Sequence, residues 1–367
     1  MTDEFYMKRA LQLARRGGKW VSPNPLVGAV IVKHNRIIGE GYHRHFGGPH
    51  AEINALHSAS ESVTGATVYI TLEPCCHHGK TPPCVESLIA ERPARVVIGM
   101  TDPNPLVCGG SIERLVQAGI PATVGILEAD CRHLNERFIK FIQTRIPFVT
   151  LKFAQTLDGR IATADGHSRW ISSPASLKFA HTLRAVHDGI LVGSGTLSKD
   201  DPELTVRLVG GRNPVRIIVD TRLRLPLHAR ALQDQDRART IIGTTDAASP
   251  HKRAALAQMG IETILVDRDR HGHVDLHKLL IELGKRDISS VLVEGGARVI
   301  TSVLLQRLAD RIIVVIAPKV VGTGIEAIGN LGIRSMDDAM KISVRKVTRK
   351  GGDLILDGQI QKKPGNP

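Results

Sequence analysis

The chain opens on an amphipathic stretch, MTDEFYMKRALQLARRGG, whose apolar positions Tyr6, Met7, Ala10, Leu11, Leu13 and Ala14 recur at helical spacing. Helix and strand signals then alternate. LVGAVIV and RIIGEGYH read as two strands joined at His34-Asn35, and PHAEINALHSAS reads as a helix. ATVYITLEP is a strand, CVESLIAERP a helix, ARVVIGMTDP a strand and SIERLVQAGI a helix. AGIPATVGIL and a helical LNERFIKFI complete this half. Such alternation predicts an α/β sheet layered by helices, with a site at the strand ends.

The pattern restarts after a boundary at Thr144–Pro147, which divides residues 1–145 from 146–367. PFVTLKFAQTLDGRIAT is a strand followed by a polar turn. DGILVGSGT, PVRIIVD, RTIIGTT, ETILVD and SSVLVEGG are buried-strand candidates, with the helical SPASLKFAHTLRAV and ARVITSVLLQRLA between them. LVGSGTLSKDDPELTVR (191–207) is expected as a long polar loop. RIIVVIAPKVVG and KISVRKVTRKGGDLILDG read as terminal strands in antiparallel pairing, and QKKPGNP as a frayed tail.

Length and composition narrow the class. A chain of 367 residues holds two ordinary domains, each with its own core. No run approaches the roughly 18–20 apolar residues that span a membrane. The opening helix is not a secretory signal, so the cytoplasm is the expected location. Five cysteines, at 75, 76, 84, 108 and 131, make an odd count clustered near one His-x-Glu, which argues for metal binding over a disulfide framework. A formal charge of +13 raises the question of nucleic acid, but the basic residues are scattered and aromatics are only 3%, too few for base-stacking platforms. A phosphorylated small molecule and a phosphate-bearing cofactor account for the same excess. A homo-oligomer paired through a sheet surface is compatible with the pattern, and no segment specifies it.

The chemistry concentrates in PHAEINAL (49–56) and TLEPCCHHGKTPPC (71–84). A His-x-Glu followed by Pro-Cys and a further Cys is the signature of zinc-dependent base deaminases. Zinc that activates water keeps three protein ligands and one open position, and imidazole and thiolate suit it. His50, Cys75 and Cys84 are those candidates, and Glu52 is the spare carboxylate for proton transfer. The alternative is a closed structural site with Cys76, His77 or His78 as fourth ligand. Pro49, Pro74 and Pro82-Pro83 give each segment a helix-start context, where thiolate is favoured. In the second half, strand Val291–Val293 runs into Gly295-Gly296 and a helix, a connection that admits phosphate or is merely a common strand-to-helix turn. Arg184 and Arg207 are either a bidentate phosphate clamp or surface charge.

In the general deaminase signature two residues separate the cysteines, whereas Cys84 follows Cys75 by nine positions. With SPNPLVGAVIV (22–32) and GYHRHFGGPHAE (41–52), that longer loop resembles the deaminase half of the bifunctional riboflavin-biosynthesis deaminase/reductase family. TLDGRIAT, SRWISSP, LVGSGT, DDPELTVR and LVEGG resemble its reductase half, in the same order. The resemblance implies an N-terminal cytidine-deaminase-like three-layer α/β/α domain and a C-terminal dihydrofolate-reductase-like α/β domain. It implies Zn(2+) on His50, Cys75 and Cys84, Glu52 as the proton-transfer acid and Cys76 as a bystander. Asn24 and the loop Gly41–His43 would shape the first pocket. NADPH would meet Ala154, Trp170, Thr196, Asp200, Thr221 and a loop of Gly296, Ala297, Arg298, Val299, Ile300 and Thr301. The ribosyl phosphate substrate would meet Ser168, Arg184, Leu204, Arg207 and Glu294. The implied reactions are zinc-dependent deamination of a diaminopyrimidinone ribotide, then NADPH reduction of its ribosyl group to ribityl. Two competitors share the zinc motif: a nucleoside or nucleic-acid deaminase with an accessory binding domain, and a zinc-stabilised regulatory protein. Neither accounts for the motifs after residue 150.

Overall fold

The computed structural model describes residues 1–76, 83–104 and 108–361. It divides into two compact units, Met1–Arg145 and Ile146–Pro367.

The first unit runs α1 (Asp3–Ala14), β1 (Gly28–Lys33), β2 (Arg36–Tyr42), α2 (Ala51–His57), β3 (Thr67–Ile70), α3 (Cys84–Glu91), β4 (Arg95–Ile98), α4 (Gly110–Gln117), β5 (Ala122–Val124), α5 (Glu128–Leu134) and α6 (Glu136–Thr144). All six apolar positions of the opening stretch are buried on α1. His34 and Asn35 join β1 to β2 at φ 48° and 59°, the left-handed pair that a tight hairpin turn requires. The sheet order is β2-β1-β3-β4-β5, with β1 antiparallel to both neighbours and the rest parallel.

Two glycines show how helices cover this sheet. A Cβ on Gly28 would stand 2.1 Å from the Ala10 carbonyl of α1. One on Gly41 would stand 2.3 Å from Ala51 O and Ala55 N of α2. Gly28 pairs with Tyr42 and Gly41 with Ala29, so the two glycines face opposite sides of the sheet. One helix therefore lies on each face, which is the three-layer α/β/α arrangement.

The second unit runs β6 (Phe148–Thr156), β7 (Arg160–Thr163), α7 (Pro174–Val186), β8 (Gly189–Gly193), α8 (Ser194–Asp200), β9 (Val215–Val219), β10 (Thr240–Thr244), α9 (Pro250–Gln258), β11 (Glu262–Leu265), α10 (Leu276–Gly284), β12 (Ser290–Val293), α11 (Ala297–Leu305), β13 (Arg311–Ala317), β14 (Gly324–Glu326), β15 (Ile342–Lys350) and β16 (Asp353–Ile360). Its large sheet has the order β11-β10-β9-β8-β12-β6-β13-β16-β15. The strands from β11 to β13 are parallel, and β16 and β15 close the edge antiparallel, as the terminal pattern predicts. Ser173 caps α7 by accepting from Ser176 N, with Pro174 in the first turn.

Two expected loops are helical instead. Residues 194–200 form α8, because Leu197 is buried with Ile190 and Val192 and holds one short amphipathic turn to the sheet. Gly296 is the N-cap of α11, so 297–301 are its opening turns. This is the helix expected from ARVITSVLLQRLA, so the segment Gly296–Thr301 is a helix start and not a loop. The tail residues 362–367 lie outside the described residues. Among those described, no helix is long and apolar enough to cross a membrane. None of the five cysteines, all among the described residues, is in a disulfide.

Gly41→Ala should force α2 off the sheet and cost roughly 1–3 kcal/mol, the usual range for overpacking. Urea unfolding of the full chain measures it, and unchanged stability would contradict the close approach.

Candidate functional site

The fold gathers the first group of candidates at two helix N-termini and one irregular segment. His50 is the N-cap of α2 and Glu52 lies in its first turn. Cys84 opens α3, with Pro83 as N-cap. Cys75 follows β3 in irregular chain, so Pro74 does not open a helix there. His50 Nδ1 lies 3.6 Å from Cys75 Sγ and 3.3 Å from Cys84 Sγ, and Cys84 N donates to Cys75 Sγ at 3.3 Å. The three donor atoms all lie within 4.8 Å of one another. Tetrahedral bonds to zinc would separate such N and S donors by roughly 3.5 Å, so the set fits the metal without rearrangement.

Charge makes the same point. Hydrogen bonding from Cys84, with help from His50, holds the Cys75 thiol down at about 4. The same interaction and burial push the Cys84 thiol up. Two thiolates this close repel each other, and a cation between them is what would let both act as ligands. Glu52 is buried, and burial pushes its carboxyl up to about 7 against the pull of His50.

Neighbouring side chains hold this group in place. His43 is buried, and its Nδ1 stands 3.1 Å from the Pro49 carbonyl, so Nδ1–H donates there. Its Nε2 then accepts from Asn24 Nδ2 at 3.1 Å, and burial lowers the ring's pKa, keeping it neutral. The ring meets His50 edge-on at 5.3 Å. Asn24 and His43 therefore flank the site together. Glu73, which the sequence reading passed over, accepts from Asp102 N and Gly109 N at 3.1 Å each and from Ser111 Oγ at 2.9 Å. It ties the segment before Cys75 to the chain entering α4. A buried acid immediately before Pro-Cys was the available signal. Cys76 is outside the three-donor group, its Sγ beside Gly110 at the start of α4. His77 and His78 lie outside the described residues.

In the second unit Arg184, Arg207 and Glu294 meet in one cluster with Lys152 and His181, two residues not anticipated. Arg184 Nε and Nη2 engage both Glu294 oxygens at 3.2 and 2.8 Å, and Lys152 Nζ stands 3.9 Å away. The Arg184 fork is thus bidentate to Glu294. Arg207 Nη1 donates to Glu203 Oε2 and Thr205 Oγ1, both at 2.9 Å. Burial alone would raise the Glu294 carboxyl, but Arg184 and Lys152 bring it to about 2. Burial, then Arg184 and Arg207, lower His181 to about 4. A lysine inside the buried strand VTLKFAQ was the legible trace of Lys152.

The cofactor candidates gather less completely. Thr196 Oγ1 accepts from Gly296 N at 3.1 Å, joining the starts of α8 and α11 beyond the adjacent strands β8 and β12. Arg169 Nη2 donates to Asp200 O at 2.8 Å, tying the Ser168–Trp170 segment to the end of α8, with Trp170 66% exposed. Ala154 is half-buried beside Leu292 and Val315, and Ala297 and Val299 are half-buried with Arg298 exposed. The Leu204 and Ile300 side chains are packed in the core, which leaves only their main chains for a ligand. Thr301 Oγ1 is engaged by Ala297 O and Gly329 N. Thr221 faces the β10 side, its carbonyl accepting from Thr244 and Thr245.

Residues 1–100 match the cytidine and deoxycytidylate deaminase zinc-binding region, and 147–356 match the RibD C-terminal domain. The riboflavin biosynthesis protein RibD of Aquifex aeolicus is 44% identical, covering 96% of this chain and 97% of its own. That of Escherichia coli is 41% identical over 97% and 99%. The chain belongs to the RibD family. The solved RibD of Acinetobacter baumannii superposes with a TM-score of 0.88 at 36% identity, covering 98% of this chain and 99% of that one. A Thermotoga maritima diaminohydroxyphosphoribosylaminopyrimidine deaminase/5-amino-6-(5-phosphoribosylamino)uracil reductase gives 0.85 at 39% identity, with coverage of 98% and 99%. Like RibD, this chain joins a zinc-binding deaminase fold to a reductase fold and is a deaminase and reductase of riboflavin biosynthesis.

The buried charges of the RibD reductase region set an acid limit. The unfolded chain binds more protons than the folded one between about 6.5 and 4, through His181, and between about 4.5 and 2, through Glu294. Stability should therefore fall as pH drops through both windows. Glu294→Gln should flatten the lower one while costing about 3–5 kcal/mol at neutral pH, because Arg184 and Lys152 lose their counter-charge. Unfolding curves across pH measure both, and an unchanged slope between 4.5 and 2 would contradict the assignment.

Proposed function

We propose that residues 1–145 deaminate a diaminopyrimidinone ribotide and that residues 146–367 reduce its ribosyl group to ribityl. The observation that carries the first step is a buried carboxylate, Glu52, two residues from His50 and hydrogen-bonded to Cys84. Zinc held by His50, Cys75 and Cys84 supplies the Lewis acidity that makes water nucleophilic at neutral pH. Glu52 would pass one proton of the attacking water to the ring nitrogen and the second, from the added hydroxyl, to the amine, which leaves as ammonia. A carboxyl lifted by burial and drawn down by nearby cations can both accept and donate near neutrality. Asn24 and neutral His43 border the same space: His43, with both ring nitrogens engaged, holds the Asn24 amide, and Asn24 orients the pyrimidine.

In the second site NADPH supplies the reducing equivalents. Ala154, Trp170, Thr196, Asp200, Thr221 and the opening of α11 from Gly296 to Thr301 hold it, with Ile300 contributing main chain alone. The Thr196–Gly296 contact and the free amides expected of a helix N-terminus support a phosphate at that place. Ser168, Leu204, Arg207 and the Arg184–Glu294 pair hold the ribotide. Arg207 is the better phosphate ligand, since Arg184 is committed to Glu294. Lys152, its pKa lowered by burial, lies beside the Glu294 carboxylate and can move a proton at the opened sugar. A phosphorylated substrate and a phosphate-bearing cofactor support a cytoplasmic setting.

Glu52→Gln should lower ammonia release at least about 10³-fold while zinc stays bound and the deaminated ribotide is still reduced. Normal ammonia release by this variant would remove Glu52 from the role. Cys75→Ser and Cys84→Ser should each lose most zinc by elemental analysis, whereas Cys76→Ser should retain it. Zinc loss in Cys76→Ser with retention in Cys75→Ser would reverse the ligand assignment.

A further inference from the structure

The segment Glu203–Arg207 carries Arg207 between α8 and β9 without belonging to a strand. Its main chain is nevertheless held on both edges by side chains. On one edge, two residues of α7 reach it. Arg184 Nη1 donates to Thr205 O at 3.2 Å, and His181 Nδ1 accepts from Arg207 N at 3.0 Å. On the other edge, Val206 N donates to Asn213 Oδ1 at 2.8 Å. An extended chain points the carbonyl of one residue and the amide two positions on to the same side, and the intervening amide to the other. Residues three apart on a helix share a face, so His181 and Arg184 act together in place of a neighbouring strand.

We propose that His181 is a positioning residue for reduction: its unprotonated Nδ1 fixes the Arg207 main chain and so aims the Arg207 guanidinium at the anionic end of the substrate. The proposal rests on the reading of Arg184, Arg207 and Glu294 as the ribotide site. His181 itself is buried, at 5% exposure, and its Nδ1 is engaged by the amide, so it acts through Arg207 and not on the substrate. The charged groups around it are Arg184, Arg207 and Lys152, opposed by Glu294, and this cationic excess favours the neutral ring that can accept. Asparagine places a carbonyl oxygen where Nδ1 stands. Glutamine places one where Nε2 stands, and phenylalanine offers no acceptor at all.

The test is steady-state reduction of the deaminated ribotide by the full chain, with deamination by the first site reporting that each variant is folded. His181→Phe should raise KM for the ribotide by about tenfold with a much smaller change in kcat, the loss expected when one hydrogen bond no longer orders a binding group. His181→Asn should restore KM to within about twofold of the parent. If His181→Phe does not fold, His181→Gln, with its acceptor displaced, should show the same rise. Combined with Arg207→Ala, the His181 change should add nothing further to KM. An unchanged KM in His181→Phe, failure of asparagine to rescue, or full additivity with Arg207→Ala would overturn the positioning role alone. An unchanged KM in Arg207→Ala itself would overturn the ribotide-site reading, and this proposal with it.

Discussion

Two thiols and an imidazole packed together in a buried site cannot all act as ligands unless a cation offsets the repulsion between the two thiolates. That constraint organises the first unit. The helix N-termini of α2 and α3 supply His50 and Cys84, and both present partial positive charge where negative charge must accumulate. The position of α2 depends in turn on Gly41, which lets its backbone touch the sheet. Glu73 and His43 then hold the two irregular segments that complete the site. Glu52 inherits its environment from this arrangement, since the burial that protects the metal position also lifts its carboxyl.

The second unit solves the opposite electrostatic problem. Its buried acid, Glu294, is outnumbered by Arg184, Lys152 and Arg207, leaving a cationic site for an anionic ligand. Breaking such a buried pair is costly because one charge is left uncompensated. The cluster is therefore part of the fold as well as part of the site. Central parallel strands β8 and β12 deliver the Thr196–Gly296 contact and Glu294 from neighbouring positions at their carboxyl ends, where the proposed cofactor and ribotide sites would meet.

Much of this was legible from periodicity. The opening helix, the His34-Asn35 hairpin and the positions of the buried strands follow from spacing and turn chemistry, because each depends on local sequence alone. The helix of 194–200 was hidden by its polar composition, and only the tertiary burial of Leu197 makes it helical. Among the candidate residues, His50, Cys75, Cys84 and Glu52 stand in short motifs and come together. Lys152, His181 and Glu73 were missed because their roles arise from partners 26 to 142 positions away, as in His181 with Arg207 and Lys152 with Glu294. The pairing of Arg184 with Glu294 was hidden for the same reason, since the carboxylate follows a distant strand.

The central claim is that one chain removes an amine and then reduces the sugar of the same molecule. The most direct measurement supplies the diaminopyrimidinone ribotide to the zinc-loaded chain with and without NADPH, following ammonia and NADPH absorbance together. The account predicts ammonia under both conditions, with NADPH oxidation only after deamination has begun and reaching the same total. Ammonia without any NADPH oxidation, or NADPH oxidation that precedes ammonia, would contradict it.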